Sequence, residues 1–386
     1  MILSLFKIAR YFLIDTGRYI KRGLQHGKTA IIHRLAGSST ALDLPRPASQ
    51  QKTSAPTLSD TEFLELCYQG ILGRAPSAKD RASFSSQFEA GAMTRDEFVC
   101  EILQCSEFAS HSANREAYPA GHFFSALPSA QERAQYIRDT SCESVAGIDL
   151  RLTEQTALAK AFASYFFDCP LVRFKDESKR YYSDNVSFPF SDAFIFYCFI
   201  RRYNPRQIIE IGSGFSSAAA LDSLDALGKS DTRCWFIEPY PRLLRSLLRK
   251  EDTRHGILSS AVQEVDLTFF DSLAAGDILF IDSTHVSKIS SDVNYEIFDI
   301  LPRLKPGVLI HIHDIYWPFD YPDEWVQEGR AWTESYLVRA FLQFNNDFRI
   351  LYFNSYLHPK IRDSLFTPLG VDLGQNDGGS LWLERV

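Results

Sequence analysis

One segment restricts the fold of this chain more than any other. The apolar run Gln207–Ile211 enters Gly212-Ser213-Gly214, and an alanine-rich stretch from Phe215 to Leu227 follows at once. A buried strand that turns on glycines into a helix is one half of an α/β unit. Gly212 and Gly214 permit a tight turn and a close approach of backbone to a ligand. The helix that follows presents its positive end to the same place. A dinucleotide fingerprint would carry a third glycine where Ser217 stands, which argues against a nicotinamide cofactor.

Downstream segments repeat the unit. Cys234–Pro241 reads as a second strand ending at Glu238, and Ile257–Asp266 as a third strand and loop. Gly276–His285 reads as a fourth strand ending at Asp282. Arg303–Ile315 reads as a fifth, after a helix that carries Tyr295, Phe298 and Leu301. Phe348–Asn354 and Ser380–Val386 read as two closing strands. Strands alternating with helices imply a mostly parallel sheet covered on both faces. Ligands of such sheets bind beyond the carboxyl ends of the strands, where the polar residues of this chain cluster.

The rest of the chain divides by texture. With 386 residues, two or three domains are expected. A 45% hydrophobic and 13% aromatic composition provides a sizeable core and excludes a mainly disordered or fibrous chain. The net charge of −7 argues against a broad nucleic-acid surface. Residues 1–35, however, carry Lys7, Arg10, Arg18, Lys21, Arg22, Lys28 and Arg34 against Asp15 alone. Ile2, Leu5, Phe6, Ala9, Phe12, Leu13 and Ile20 fall near one side of a helix there. Such a basic amphipathic segment is too short and charged to span a bilayer, and suits an anionic membrane surface or a protein contact. It also lacks the long apolar core and cleavage site of a secretory signal. Residues 36–60, rich in Ser, Pro, Thr and Ala, read as a flexible linker. Residues 61–112 read as a small helical domain, 113–190 as a helical cap or connection, and 191–386 as the α/β domain. In the cap, Thr153 is the expected cap of one helix. Asp192 is expected to meet the free donors at the start of another, which Pro205 ends. The seven cysteines include no close pair, so neither a disulfide framework nor a thiolate zinc site is indicated. A reducing compartment follows. The expected location is cytoplasmic, with the inner-membrane surface as the alternative for residues 1–35.

Candidate chemistry lies at the strand ends. Asp282 and His285 follow the fourth strand, and His313-Asp314 ends the fifth, with His311 two residues earlier on the same side. An aromatic insert comes next, containing Trp317, Phe319, Tyr321, Trp325 and Trp332 with Asp320, Asp323, Glu324 and Arg330. It is too long for a minimal turn and reads as a substrate-binding lid. Tyr181, Tyr182 and Asn185 are expected to approach from the cap. Aromatic faces beside carboxylates suit a sugar, a polyol or a phenolic ring. No nucleophile elbow and no phosphate-binding P-loop is present, which excludes a serine hydrolase and an ATPase of those types.

Glu210-Ile211-Gly212-Ser213-Gly214, Phe236–Pro241, Ala261–Asp266, Phe280–His285 and Lys305–Ile315 together resemble the class I S-adenosylmethionine-dependent methyltransferase family. The resemblance covers roughly residues 180–386. It implies a Rossmann-like seven-stranded α/β sheet ending in an antiparallel hairpin, beside the separate small N-terminal helical domain. It also implies that Glu210, Gly212, Ser213 and Gly214 hold the methionine end of the cofactor, Glu238 the ribose and Gln263 the adenine, with Asp282 near the sulfonium. Asp282, His285 and His313 are then the candidate catalytic residues. By similarity to catechol-type members, a divalent metal would sit at Asp282, His313 and Asp314. A histidine among these ligands weakens the magnesium case and favours manganese, iron or zinc.

Leu72-Gly73-Arg74-Ala75-Pro76, Phe84, Gly91–Arg95 and Ser106-Glu107-Phe108 resemble a small helical domain of unknown function found in bacterial surface-glycan and secreted-protein contexts. Arg74 and Arg95 are expected either in structural ion pairs or on a partner. The leading expectation is O-methyl transfer to a sugar, a glycan precursor or another hydroxylated small molecule. The alternatives are a metal-dependent oxygenase or hydroxylase on the same fold, and a non-catalytic nucleoside-binding interaction protein. The oligomeric state is not legible.

Overall fold

The computed structural model describes residues 59–72, 74–105 and 118–386. The chain forms two compact units, divided between Ser125 and Ala126. Residues 1–35 and all but the last two positions of the expected linker lie outside the described residues.

Among the described residues, the first unit contains three short helices, α1 (Asp60–Cys67), α2 (Ala78–Glu89) and α3 (Arg95–Gln104). Each begins with a reciprocal cap: Ser59 with Glu62, Ser77 with Asp80, and Thr94 with Glu97. Their apolar faces close on Phe98, which is fully buried between Phe84 and Phe88 at ring separations of 4.8 and 5.4 Å. Arg95 pairs with Asp60 at 2.7 Å and Arg74 with Asp80 at 3.2 Å, so both arginines take part in structural ion pairs.

The second unit opens with α4 (Ala130–Gln135), α5 (Leu152–Ala163) and α6 (Phe190–Tyr203). The sheet then alternates with helices: β1 (Gln207–Ile211), α7 (Phe215–Ala226), β2 (Arg233–Ile237), α8 (Arg242–Leu247), β3 (Gly256–Leu258), β4 (Ile278–Ile281), α9 (Asp292–Tyr295) and β5 (Leu309–Ile312). After β5 come α10 (Asp323–Glu328), α11 (Glu334–Leu342), β6 (Phe348–Phe353), α12 (Asn354–Ile361) and β7 (Leu381–Arg385). The strand order is β3-β2-β1-β4-β5-β7-β6. The first five are parallel, and β7 runs antiparallel to both β5 and β6. This is the Rossmann-like methyltransferase sheet expected from the sequence.

Strand alternation divides the core. Ile208, Ile278 and Phe280 face α5, α6 and α7, whereas Ile209, Leu279 and Ile281 face the helices that carry Ile297, Leu301 and Val338. Two expected caps are not what the structure shows. Helix α5 starts at Leu152, and its N-cap is Arg151 in a left-handed conformation with no side-chain bond, so Thr153 lies inside the helix. Asp192 turns away from the start of α6. Its carboxylate accepts from the Gly379 and Ser380 amides, each at 3.1 Å, and from Asn354 Nδ2 at 2.8 Å. It therefore pins the entry to β7. Asn204, in the left-handed conformation, and Pro205 do end α6. Among the described residues, no helix is long and apolar enough to cross a membrane.

Candidate active site

The turn after β1 forms one wall of a cleft. Gly212 has φ +76°, and a Cβ there would lie 1.7 Å from the carbonyl oxygen of Asp282. Only glycine fits, because the turns after β1 and β4 touch backbone to backbone. Gly214 heads α7, and its amide donates to Ser217 Oγ at 3.1 Å. The serine that breaks the dinucleotide fingerprint thus closes this turn. Glu238, after β2, accepts from the Ser213 amide at 3.3 Å and the Tyr240 amide at 2.7 Å. The cleft runs between Gly212–Ser216, Glu238, Leu243 and Asp282 on one side and Ser187-Phe188 on the other.

Glu210 lies beneath the cleft and is fully buried. One oxygen accepts from Ser216 Oγ at 2.5 Å, and the other has no partner among the described residues. Burial pushes its pKa up to about 8, against the opposing hydrogen bond of Ser216. Gln263 is exposed on the short turn after β3, and its amide donates to the Ser290 carbonyl at 3.0 Å, away from the cleft lining.

On the far side of Asp282 lies a cluster of ionisable groups. Ligand atoms of Asp282, His285 and Asp314 all fall within 4.8 Å of one another. His285 Nε2 lies 3.5 Å from Asp282 Oδ1 and 3.5 Å from Asp314 Oδ2, and its Nδ1 is 2.8 Å from Glu334 Oε2. The backbone is unusual at both turns, with φ +60° at His285 and +56° at Asp314. Burial disfavours a charged His285, yet Asp282, Glu334 and Asp314 outweigh it and raise the imidazole well above its ordinary range. Burial also raises the carboxyls of Asp314, Glu334 and Glu296. Asp282 is half-buried, and although desolvation acts against its charge, His313 and His285 hold it below the usual carboxylate range.

His313, expected as a metal ligand, lies outside this triad. Its ring nitrogens sit 3.6 Å from Asp314 Oδ1 and 3.8 Å from Asp192 Oδ2, beyond hydrogen-bond reach, and the ring packs 5.2 Å from Phe188. His285, from the turn after β4, occupies the place expected for it. His311 is an interior residue, stacked 3.8 Å from Phe280 with Nε2 on Ser380 Oγ.

The aromatic insert supplies a wall over the cluster. Trp332 lies 4.5 Å from His285, Trp325 meets Trp332 edge-on at 5.0 Å, and Tyr316 meets Trp325 at 5.3 Å. Arg330 lies over both indoles, at 4.4 and 5.1 Å. Three expected substrate contacts are instead packing residues. The Tyr181 hydroxyl donates to the Phe188 carbonyl, the Trp317 indole donates to the Cys142 carbonyl, and the Tyr321 hydroxyl accepts from the Ser335 amide, all from buried positions. Tyr182 packs edge-on against Phe215, and Asn185 closes its own turn through the Phe188 amide. Glu334, Glu296 and the Ser187-Phe188 wall were not legible in the sequence. No motif marks them, and they reach the site only through tertiary contact.

Residues 209–315 match a family model described as a methyltransferase domain, and residues 46–112 match one described as a domain of unknown function, DUF4214. An uncharacterized protein of Archaeoglobus fulgidus is 34% identical over 177 residues, which cover 43% of this chain and 79% of that protein. Among solved structures, the chain is similar to the SAH-bound methyltransferase PaMTH1 of Podospora anserina. The identity is 14%, the coverage 64% of this chain and 100% of that one, and the TM-score 0.34. It is also similar to a DUF574 family protein of Streptomyces avermitilis, with 13% identity, coverage of 51% and 80%, and a TM-score of 0.32. Homology to methyltransferase domains supports an enzymatic, methyl-transferring activity. The chain belongs to one family with the archaeal protein, and it joins a C-terminal class I S-adenosylmethionine methyltransferase-like domain to a separate N-terminal domain of unknown function.

Proposed function

We propose that this chain transfers a methyl group from S-adenosylmethionine to a hydroxyl of a small hydroxylated ring, with a sugar or glycan precursor as the leading class. One observation carries the reading: Asp282 lines the cofactor cleft and is also a corner of the cluster with His285 and Asp314. A donor site and an acceptor site therefore meet at one carboxylate.

The cleft fits the cofactor. Gly212 lets the turns after β1 and β4 meet at the cleft, and a Cβ at Gly214 would crowd Leu243 in its wall. The unpartnered oxygen of Glu210 would accept from the amino group, and Glu238 from the ribose hydroxyls. When bound, S-adenosylmethionine supplies a sulfonium-activated methyl group. Methyl transfer then requires alignment of the acceptor, exclusion of water and removal of the hydroxyl proton. Phe188 and the Trp325–Trp332 wall exclude water, and the indole faces suit a ring. Asp282, His285 and Asp314 would hold a divalent ion, which would lower the pKa of the acceptor hydroxyl. One imidazole with two carboxylates suits manganese, iron or zinc better than magnesium.

Calorimetric titration of metal-analysed protein tests the reading. Saturable binding of S-adenosylmethionine and S-adenosylhomocysteine, without binding of NAD, is expected. Folded protein that binds neither would overturn it. With cofactor bound, Asp282→Asn is expected to lower methyl transfer at least 10-fold without unfolding the chain. Oxygen consumption by the metal-loaded protein would favour the oxygenase alternative instead.

A further inference from the structure

The proposed reaction leaves the buried carboxylate of Glu334 without a task. Glu334 is 1% exposed and opens α11, on the far side of the aromatic insert. We propose that Glu334 is the positioning residue of His285, and that it presents His285 Nε2 as the third ligand atom, with Asp282 and Asp314, for a divalent cation. The purpose of this device rests on the methyl-transfer reading, but its geometry does not.

Two residues hold His285 at both ends. The amides of Thr333 and Glu334 donate to the His285 carbonyl at 2.9 and 3.1 Å, and Glu334 Oε2 takes the ring at Nδ1. That clamp accounts for a histidine at φ +60°, a conformation that side-chain-bearing residues keep only when their surroundings impose it. Trp332, two residues earlier, packs the same ring at 4.5 Å. The end of the insert thus supplies the wall, the backbone clamp and the orienting carboxylate together.

The chemical consequence follows from the two ring nitrogens. Ligation requires the neutral ring, so a cation displaces one imidazole proton; a carboxylate that accepts from Nδ1–H keeps the proton there and leaves the lone pair on Nε2. Nε2 is the atom that faces Asp282 and Asp314, at 3.5 Å from each. In the other tautomer an N–H would point at both carboxylates and no lone pair would remain for a cation. Carboxylate–histidine pairing of this kind orients an imidazole ligand and raises its basicity. A buried carboxylate that served packing alone would be better replaced by an apolar side chain, because its burial is costly.

Full-length protein with labelled histidine rings tests the proposal, with Mn²⁺ alone as the metal probe. Wild type is expected to show a far-downfield, exchange-protected Nδ1–H proton that His285→Gln removes. Glu334→Ala should abolish that resonance, and Glu334→Gln should move it upfield, since a neutral acceptor bonds more weakly. Mn²⁺ affinity should fall about 10- to 100-fold in Glu334→Ala, the usual cost of losing such a partner. S-adenosylhomocysteine affinity should change less than about twofold. If Glu334→Ala does not fold, Glu334→Gln decides. An unchanged resonance would overturn the proposal, as would equal Mn²⁺ binding in wild type and variants, none at all included. Failure of S-adenosylhomocysteine to bind wild type would count against the methyl-transfer reading and leave these two readouts standing.

Discussion

At the scale of the residue, the site depends on groups that fit only one way. Gly212→Ala would drive a methyl group into the Asp282 carbonyl and would also hold alanine at φ +76°. The left-handed conformation alone costs about 1–2 kcal/mol, and the collision adds to it. A large loss of cofactor affinity with a lower midpoint in urea is expected, read by calorimetry and denaturation. Glu210 makes a second prediction. Its pKa is pushed up to about 8 by burial, from an ordinary value of 4.5. The folded protein therefore keeps a proton that the unfolded chain has lost between those values. Its contribution to stability is full below pH 4.5 and falls as pH rises toward 8, by an amount on the order of 4 kcal/mol. Glu210→Gln should flatten the thermal midpoint between pH 5 and 8. The Gly212–Gly214 turn, Glu238 and Asp282 were legible because each follows directly on an apolar run. Glu334 was not, since its partner lies 49 positions away. Nor was the burial of Tyr181, Trp317 and Tyr321. An aromatic residue in an insert reads the same whether it lines a site or fills a core.

At the scale of the element, the sheet was the easiest part to read. The parallel strands are short, mostly apolar segments, most deeply buried in β1, β4 and β5, and the alternation within them assigns the two faces. Helix starts were harder. Asp192 has the composition of a cap, but the Gly379 and Ser380 amides claim its carboxylate from a distant part of the chain. The segment before α6 shows the same dependence on tertiary partners. Arg180 is buried with Asp222 at 2.9 Å and Asp252 at 2.6 Å, and it also reaches Asp225. It ties the Ser187-Phe188 side of the cleft to α7 and to the turn before β3. Arg180→Ala would strand two buried carboxylates, and a loss of about 3–5 kcal/mol is expected in chemical denaturation. The variant should also bind cofactor more weakly, because Tyr181 and Phe188 are anchored through the same segment.

At the scale of the whole molecule, the two units have separate cores, one around Phe98 and one spread over both faces of the sheet. A fragment of residues 126–386 should therefore fold and bind S-adenosylhomocysteine with the affinity of the full chain, as read by calorimetry. A loss greater than tenfold would mean that the first unit contributes to the cofactor site. The sequence marked the first unit through its Leu72-Gly73-Arg74 and Gly91–Arg95 motifs and its aromatic spacing, but no residue in it identifies a chemical task. The position of Asp282 in the second unit has a thermodynamic consequence. One carboxylate belongs to the cofactor cleft and to the cation triad, so the two occupancies share a free energy. By reciprocity, the factor by which Mn²⁺ changes the dissociation constant of S-adenosylhomocysteine must equal the factor by which S-adenosylhomocysteine changes that of Mn²⁺. A positive sign would impose an order on a nominally random enzyme: the first guest to arrive recruits the second.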